Sequence, residues 1–337
     1  GESGDPRTEV AKVIACADIP DTFPEEVQAA AAHAPAELLP SDFADRVDLR
    51  DRPFLTIDPE TARDFDDAVC LEPHGNGHRL WVAVADVSHY VPVRGALDRE
   101  ARIRGCSVYL PDRAIPMLPH ELSAGICSLN PEVERCAMVV RIDLDADGVP
   151  RDKAFMAAVI QSHARLDYPG VAAALAGDFR GPRARYRRWA EALGTMNALA
   201  KKMRERRLQR GALNLEIPEA TVVLDDDDPK LVRDVRSLKS SADAKIAYQL
   251  VEEFMLAANE AVAQFFTERG LDCMWRVHDV PASQRLEEFV QVAEAFGIRF
   301  AAGDAASPRG MQAALAAIAG KPFERALNFL LLRCLKQ

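Results

Sequence analysis

The stretch Thr56-Ile-Asp-Pro-Glu-Thr-Ala-Arg-Asp-Phe-Asp-Asp-Ala-Val69 packs four aspartates, Asp58, Asp64, Asp66 and Asp67, into ten residues. Carboxylates held this close repel one another, so a folded chain tolerates them when they are solvated, partly protonated or neutralised by a cation. A divalent metal is the simplest neutraliser. Oxygen-only ligands, with no Cys or His inside the cluster, favour Mg²⁺, Mn²⁺ or Ca²⁺ over zinc. An EF-hand loop is excluded: counted from Asp64, its sixth place requires Gly and its twelfth Glu, and Val69 and Gly75 stand there. The alternative is a solvated acidic loop.

The flanks bear on that choice. Phe54-Leu-Thr-Ile57, Ala68-Val-Cys-Leu71 and Arg79-Leu-Trp-Val-Ala-Val-Ala85 read as strands, the last two flanking Pro73-His-Gly-Asn-Gly-His78, where Asn76-Gly77 signals a hairpin turn. Asp58, the group from 64 to 67, and Asp86 therefore fall at strand ends. Rigid elements of this kind suit a catalytic site.

These residues resemble the signature of the RNase II/RNase R (RNB) family of 3′-to-5′ exoribonucleases. Thr-Ile-Asp-Pro-x-x-Ala-x-Asp-Phe-Asp-Asp-Ala is followed in order by Val84-Ala-Asp-Val-Ser-His-Tyr-Val91, Arg104-Gly-Cys-Ser-Val-Tyr-Leu-Pro-Asp-Arg113, Ile115-Pro-Met-Leu-Pro119, Leu122-Ser and Cys127-Ser-Leu-Asn-Pro131. Weaker similarity continues through Arg210-Gly-Ala212, Val251-Glu-Glu-Phe-Met-Leu-Ala-Ala-Asn259 and Leu331-Leu-Arg-Cys-Leu-Lys-Gln337.

The resemblance implies a metal-dependent hydrolase, using Mg²⁺ or Mn²⁺, that binds the 3′ end of single-stranded RNA and releases nucleoside 5′-monophosphates. Two metals about 4 Å apart can stabilise both the attacking and the leaving oxygen of a phosphodiester displacement, which fits the carboxylate cluster independently. By motif position Asp58, Asp64 and Asp67 match metal ligands. Asp66 matches the aspartate most critical for cleavage, acting through a second metal or the attacking water. Asp86 is a weaker candidate, open between metal and the neighbouring turn. Tyr109 matches a tyrosine that fixes the 3′-terminal nucleotide, and Tyr168 another near the RNA path; a half-buried structural tyrosine is the alternative for each. Where relatives carry an aromatic residue after the Arg-Gly-Ala element, Leu213-Asn-Leu-Glu216 stands here, leaving the second face of a base clamp open.

Composition frames the rest. At 337 residues, with 48% hydrophobic and 28% charged content, the chain has ample length for a core. No stretch reaches the roughly 18 consecutive apolar residues of a membrane helix. No membrane partner and a cytoplasmic location are expected. The seven cysteines are scattered and never spaced as Cys-x-x-Cys, so they read as reduced and structural. A net charge of −10 argues against a protein that coats nucleic acid nonspecifically. Basic residues nevertheless concentrate between 180 and 210, with Arg206 and Arg210 as candidate RNA contacts. Arg185 to Leu208 reads as one helix whose basic face either follows the RNA backbone or is solvated.

The expected fold is α+β: a mixed, largely antiparallel sheet with helices packed on one side. Residues 1 to 50, with a short helix in Pro24-Glu-Glu-Val-Gln-Ala-Ala-Ala-Ala-His33, form a lead-in packed on the core. Residues 51 to 337 form the catalytic domain, expected to be incomplete at its C-terminal side. The family block Thr-Ser-Pro-Ile-Arg-Arg-Tyr, whose arginine helps stabilise the phosphate, does not occur, so this chain alone is expected to lack full activity. Flanking RNA-binding modules would come from the rest of the protein or a partner. A hairpin is expected around Asp225-Asp-Asp-Asp-Pro229 and a long helix from Ala244 to Phe266. His278 reads as structural. The alternative function is a catalytically incomplete RNB-fold scaffold that binds RNA or protein.

Overall fold

Apolar side chains recurring along short runs between residues 47 and 167 pair into a six-stranded sheet. The computed structural model describes residues 5–214, 220–225, 228, 231–237, 242–277, 279–300 and 307–335. The sheet strands are β1 (Val47–Asp48), β2 (Phe54–Asp58), β3 (Asp67–His74), β4 (Gly77–Ala85), β7 (Glu134–Leu144) and β8 (Pro150–Asp167). Between them a small hairpin joins β5 (Val108–Tyr109) to β6 (Ala114–Ile115). Helix α1 (Pro6–Cys16) precedes the sheet, and the short α3 (Val87–Tyr90) follows β4.

The strand order is β1-β8-β2-β3-β4-β7, and β7 also pairs with β8. The 18-residue β8 makes this possible. Its first part runs antiparallel to β7, and its last part runs parallel to β2. The strands β8, β2, β3, β4 and β7 thus close into a ring. Among these strands parallel pairing occurs only where β8 meets β1 and β2, so the sheet is mixed and largely antiparallel.

Inward-facing Phe54, Ala68, Cys70, Ala83, Leu129, Ala137, Ala158 and Ile160 form one buried cluster with Phe65. A second gathers Val27 and Ala31 of helix α2 (Glu25–Ala32) against Leu97 of α4 (Ala96–Arg104) and Leu118, Leu122, Ile126 and Cys127. The β3–β4 turn is Gly75-Asn76, one residue earlier than the sequence suggests. His74 pairs with Gly77, Gly75 takes a φ of +58°, and a Cβ on Gly77 would lie 2.1 Å from the Leu144 carbonyl oxygen.

The expected helix from Arg185 begins later. Residues Gly181–Trp189 form a tight 3₁₀ segment that pulls Tyr186 inward beneath α5 (Tyr168–Leu175), and the regular helix α6 runs Ala190–Gln209. The hairpin of β9 (Ala220–Leu224) and β10 (Val232–Ser237) and the long helix α7 (Ala242–Arg269) match the sequence reading.

The chain divides into two compact units, Gly1–Ala200 with Ala220–Ala263, and Lys201–Glu219 with Gln264–Gln337. In the second, helices α8 (Ser283–Ala295), α9 (Pro308–Ile318) and α10 (Glu324–Cys334) bury Phe289, Met311, Leu327 and Leu331. Among the described residues no helix is long and apolar enough to cross a membrane. Glu216, Asp226, Asp227, His278 and the terminal Lys336-Gln337 lie outside the described residues.

Candidate active site

Strand pairing draws the four aspartates to one end of the closed sheet. Asp58 is the last residue of β2 and Asp67 the first of β3; Asp64 and Asp66 occupy the loop between them. That loop is pinned at several points. Phe65 N donates to Ser128 Oγ at 3.0 Å, Leu129 N donates to the Phe65 carbonyl at 2.8 Å, and Ala85 N donates to the Asp66 carbonyl at 2.8 Å. The buried Phe65 ring between Asp64 and Asp66 anchors the run while the carboxylates stay outside the apolar cluster.

Arg165 of β8, opposite Thr56 in the β2 register, straps the same loop. Its Nη2 donates to the carbonyls of Glu60 at 2.7 Å and Ala62 at 3.4 Å, and its guanidinium lies 5.0 Å from the Phe65 ring centre. Sequence reading missed this residue. The available signal is its position in the strand, flanked by inward Ala164 and Leu166, which turns it to the face opposite the core.

The field within the cluster is strong. Burial, then the charges of Asp67 and Asp66, push the Asp58 carboxyl up to about 7, with Arg165 acting against them. Burial and Asp66 push Asp67 up to about 6. Asp66 is raised by its surroundings and by Asp64, although as an exposed residue it has water to soften the effect. Among the described residues no three Asp, Glu, His or Cys side chains converge into a ready-made metal cage. Asp58 Oδ2 is nevertheless buried with no hydrogen-bond partner. An orphaned carboxylate oxygen facing its own kind is the deficit that a hard divalent cation fills, so the donor set fits Mg²⁺ or Mn²⁺.

The two tyrosines feel different members of the cluster. Tyr109, on the β5–β6 hairpin and 73% exposed, has its phenol raised by burial and by Asp64 and Asp66. Tyr168, at the start of α5, is pushed up to about 12 by burial and by Asp58 and Asp67, and meets Tyr248 of α7 edge to face with ring centres 5.9 Å apart. Tyr168 follows directly on Asp167, the register partner of Asp58. Asp167 caps α5 by accepting from Gly170 N at 2.7 Å, and also accepts from Arg185 Nη2 at 2.9 Å and from the Tyr186 hydroxyl.

Asp86 takes the structural alternative. Burial opposes its ionisation, but hydrogen bonds from Arg46 Nη2 at 2.6 Å and Ser88 Oγ at 2.8 Å outweigh it and lower its pKa. Arg206, near the end of α6, and Arg210, just past it, belong to the second unit, where Gln312 Nε2 donates to the Leu208 and Ala212 carbonyls at 2.7 Å each. All seven cysteines are free, and burial pushes the Cys70 and Cys127 thiols up to about 12, which removes them as nucleophiles.

A closed mixed sheet with a carboxylate cluster and two tyrosines at one end defines a class, and comparison with known proteins names it. A family model described as the RNB domain matches residues 46–337. The chain belongs to the RNB domain family and has its α+β fold. Ribonuclease R of Escherichia coli (strain K12) is 38% identical over 321 residues, covering 95% of this chain and 39% of the relative. Ribonuclease R of Thermotoga maritima is 39% identical over 342 residues, covering 100% and 47%. The structure of Mycoplasma genitalium RNase R in complex with ribose methylated single-stranded RNA superimposes with a TM-score of 0.90 at 27% identity, over 100% of this chain and 52% of that one. The chain therefore spans less than half the length of these two curated relatives.

Proposed function

We propose that this chain carries the catalytic centre of a 3′-to-5′ hydrolytic exoribonuclease acting on single-stranded RNA and releasing nucleoside 5′-monophosphates. The observation that carries the reading is the gathering of Asp58, Asp64, Asp66 and Asp67 at one sheet end, with Tyr109 beside one pair and Tyr168 beside the other. The names of the relatives, and the RNA held by the Mycoplasma protein, support RNA as the substrate class.

Asp58, Asp64, Asp66 and Asp67 are assigned as ligands for Mg²⁺ or Mn²⁺, which when bound would polarise the phosphodiester and stabilise charge on the entering and leaving oxygens. The chain's own residues do the rest. The Asp58 carboxyl, at about 7, is partly protonated near neutrality and Asp67, at about 6, becomes so under mildly acid conditions, so loading the site there would release protons. Arg165 keeps the acidic loop in place while its charge eases ionisation of Asp58. The exposed Tyr109 ring offers a flat face for the terminal base, a sequence-tolerant contact worth about 1–3 kcal/mol per base. Tyr168, steadied by Tyr248, supports the next part of the strand. Arg206 and Arg210 are assigned to backbone phosphates, and the seven free cysteines suit a cytoplasmic setting.

The test uses single-stranded RNA labelled at either end, incubated with the chain and Mg²⁺ or Mn²⁺. The 5′ label should recede through a ladder of shortening products, the 3′ label should appear at once in mononucleotide, and Asp66→Asn should abolish both. Internal cuts would refute the exonuclease reading. Intact RNA that stays bound would favour the noncatalytic scaffold, a reading that draws on the lack of a converged carboxylate cage among the described residues.

A further inference from the structure

The segment from 178 to 189, Asp-Phe-Arg-Gly-Pro-Arg-Ala-Arg-Tyr-Arg-Arg-Trp, puts five arginines and no lysine into the nine residues 180–188 of a chain whose net charge is −10. Its 3₁₀ geometry decides where they go. At three residues per turn Arg185 and Arg188 fall on one row and Arg187 on the next, while Tyr186, only 2% exposed, takes the buried side. Three of the guanidiniums lie against aromatic rings: Arg185 at 4.9 Å from the Tyr186 centre, Arg187 at 5.1 Å from Phe179 and Arg188 at 5.0 Å from Trp189. A cation held over a ring face is attracted to it without using its N–H groups, which stay available to bind in Arg187 and Arg188.

Charge along the segment is neutralised unevenly. Asp178 takes Arg180 and Arg183, and Asp167 takes Arg185. Arg187 and Arg188 are exposed, and among the described residues neither has a carboxylate partner. The segment is also tied to the site, because Asp167, which holds Arg185 and Tyr186, is the register partner of Asp58 and the neighbour of Tyr168.

We propose that Arg187 and Arg188 form a phosphate-binding surface on the segment that Asp167 ties to the carboxylate end of the sheet, where the backbone of the RNA strand is held by two guanidiniums set over aromatic rings. This rests on the exoribonuclease reading and adds a contact surface to it. Arginine suits such a surface because its planar fork meets two phosphate oxygens at once, and the aromatic ring beneath removes part of the ordering cost.

The test measures binding of a fluorescent single-stranded RNA to the full chain carrying Asp66→Asn, so that the RNA survives, across a series of NaCl concentrations. Each phosphate contact to a single strand contributes about 0.7 to the slope of log affinity against log salt, so Arg187→Gln with Arg188→Gln should lower the slope by about 1.4, and each single change by about half that. The lysine pair, R187K with R188K, should restore the slope. The single changes decide the matter if the double variant fails to fold. Unchanged slopes in folded variants, while the parent chain binds and the unsubstituted chain cleaves RNA, would overturn this surface alone and leave the nuclease reading standing. A parent chain with no affinity for RNA would overturn both. Displacement by polyglutamate as effective as by unlabelled RNA would assign the surface to acidic proteins and overturn the proposal.

Discussion

Arg165 and Glu60 are joined by a 2.7 Å hydrogen bond from the arginine Nη2 to the glutamate's main-chain carbonyl, which fastens the loop carrying Asp64 and Asp66 to β8, the strand paired with β2. The side chain therefore positions the site without being one of its carboxylates. Arg165→Ala should destabilise the chain by about 1–2 kcal/mol in urea unfolding, the size of a charge-assisted hydrogen bond with a ring contact added. Metal affinity should fall with it, since the loop loses its strap. Arg165→Lys should recover the charge felt by Asp58 but only part of the stability.

Stability of the metal-free chain should depend on pH with a definite sign. Asp58 and Asp67 titrate near 7 and 6 in the fold but near 4 when unfolded, so between those values the folded chain binds more protons. The contribution of these two groups to stability must then fall as pH rises from about 4 to about 7, and level off above. A divalent cation supplies the missing positive charge and should flatten the decline. Melting curves in EDTA and in Mg²⁺ across this window, compared with those of the chain carrying Asp58→Asn and Asp67→Asn, check it; a metal-free pH dependence unchanged by the two substitutions would show that the carboxylates are not pressed together.

The same repulsion makes a stability gain available at the expense of function. Asp58→Asn removes one buried like charge, and at pH 8 without metal it should stabilise the chain by roughly 1 kcal/mol, after allowing for solvent screening. RNA cleavage should be lost. Destabilisation of comparable size would place the Asp58 carboxylate in a structural hydrogen bond instead.

Gly170 reports on the frame behind Tyr168. A Cβ there would meet Tyr186 Cζ at 2.0 Å and its hydroxyl at 2.2 Å. Gly170→Ala should therefore cost about 1–3 kcal/mol through overpacking and push the Tyr186 hydroxyl off Asp167. Chemical denaturation measures the first. The second should appear as a shifted tyrosine hydroxyl resonance or a changed crystal structure.

Much of the sheet is legible in the sequence because its strands announce themselves locally. The runs at 54–57, 68–71, 79–85 and 137–144 all fall within strands, and the four aspartates come together because they are neighbours along the chain. Closure of the sheet is not legible, because β8 pairs with β7 through its first part and with β2 through its last, and no local pattern reveals a strand with two partners. Arg165 and Asp167 stay hidden for the same reason: strand pairing alone sets them beside β2, where Arg165 reaches Glu60, 105 residues away, and Asp167 falls opposite Asp58. Asp86 is ambiguous until Arg46, 40 residues away, is seen to claim it. The helix expected from Arg185 is overridden by an anchor outside its own segment, the Tyr186 hydroxyl bound to Asp167.

Titration with Mn²⁺, followed by loss of the free-ion electron paramagnetic resonance signal, tests most directly whether the aspartate cluster exists to hold cations. The unsubstituted chain should remove Mn²⁺ from solution and release it to Mg²⁺ in competition, and the paired change Asp58→Asn with Asp67→Asn should abolish the uptake while the chain stays folded. Equal uptake by the substituted chain, or none by either, would contradict a metal-dependent nuclease centre at this end of the sheet.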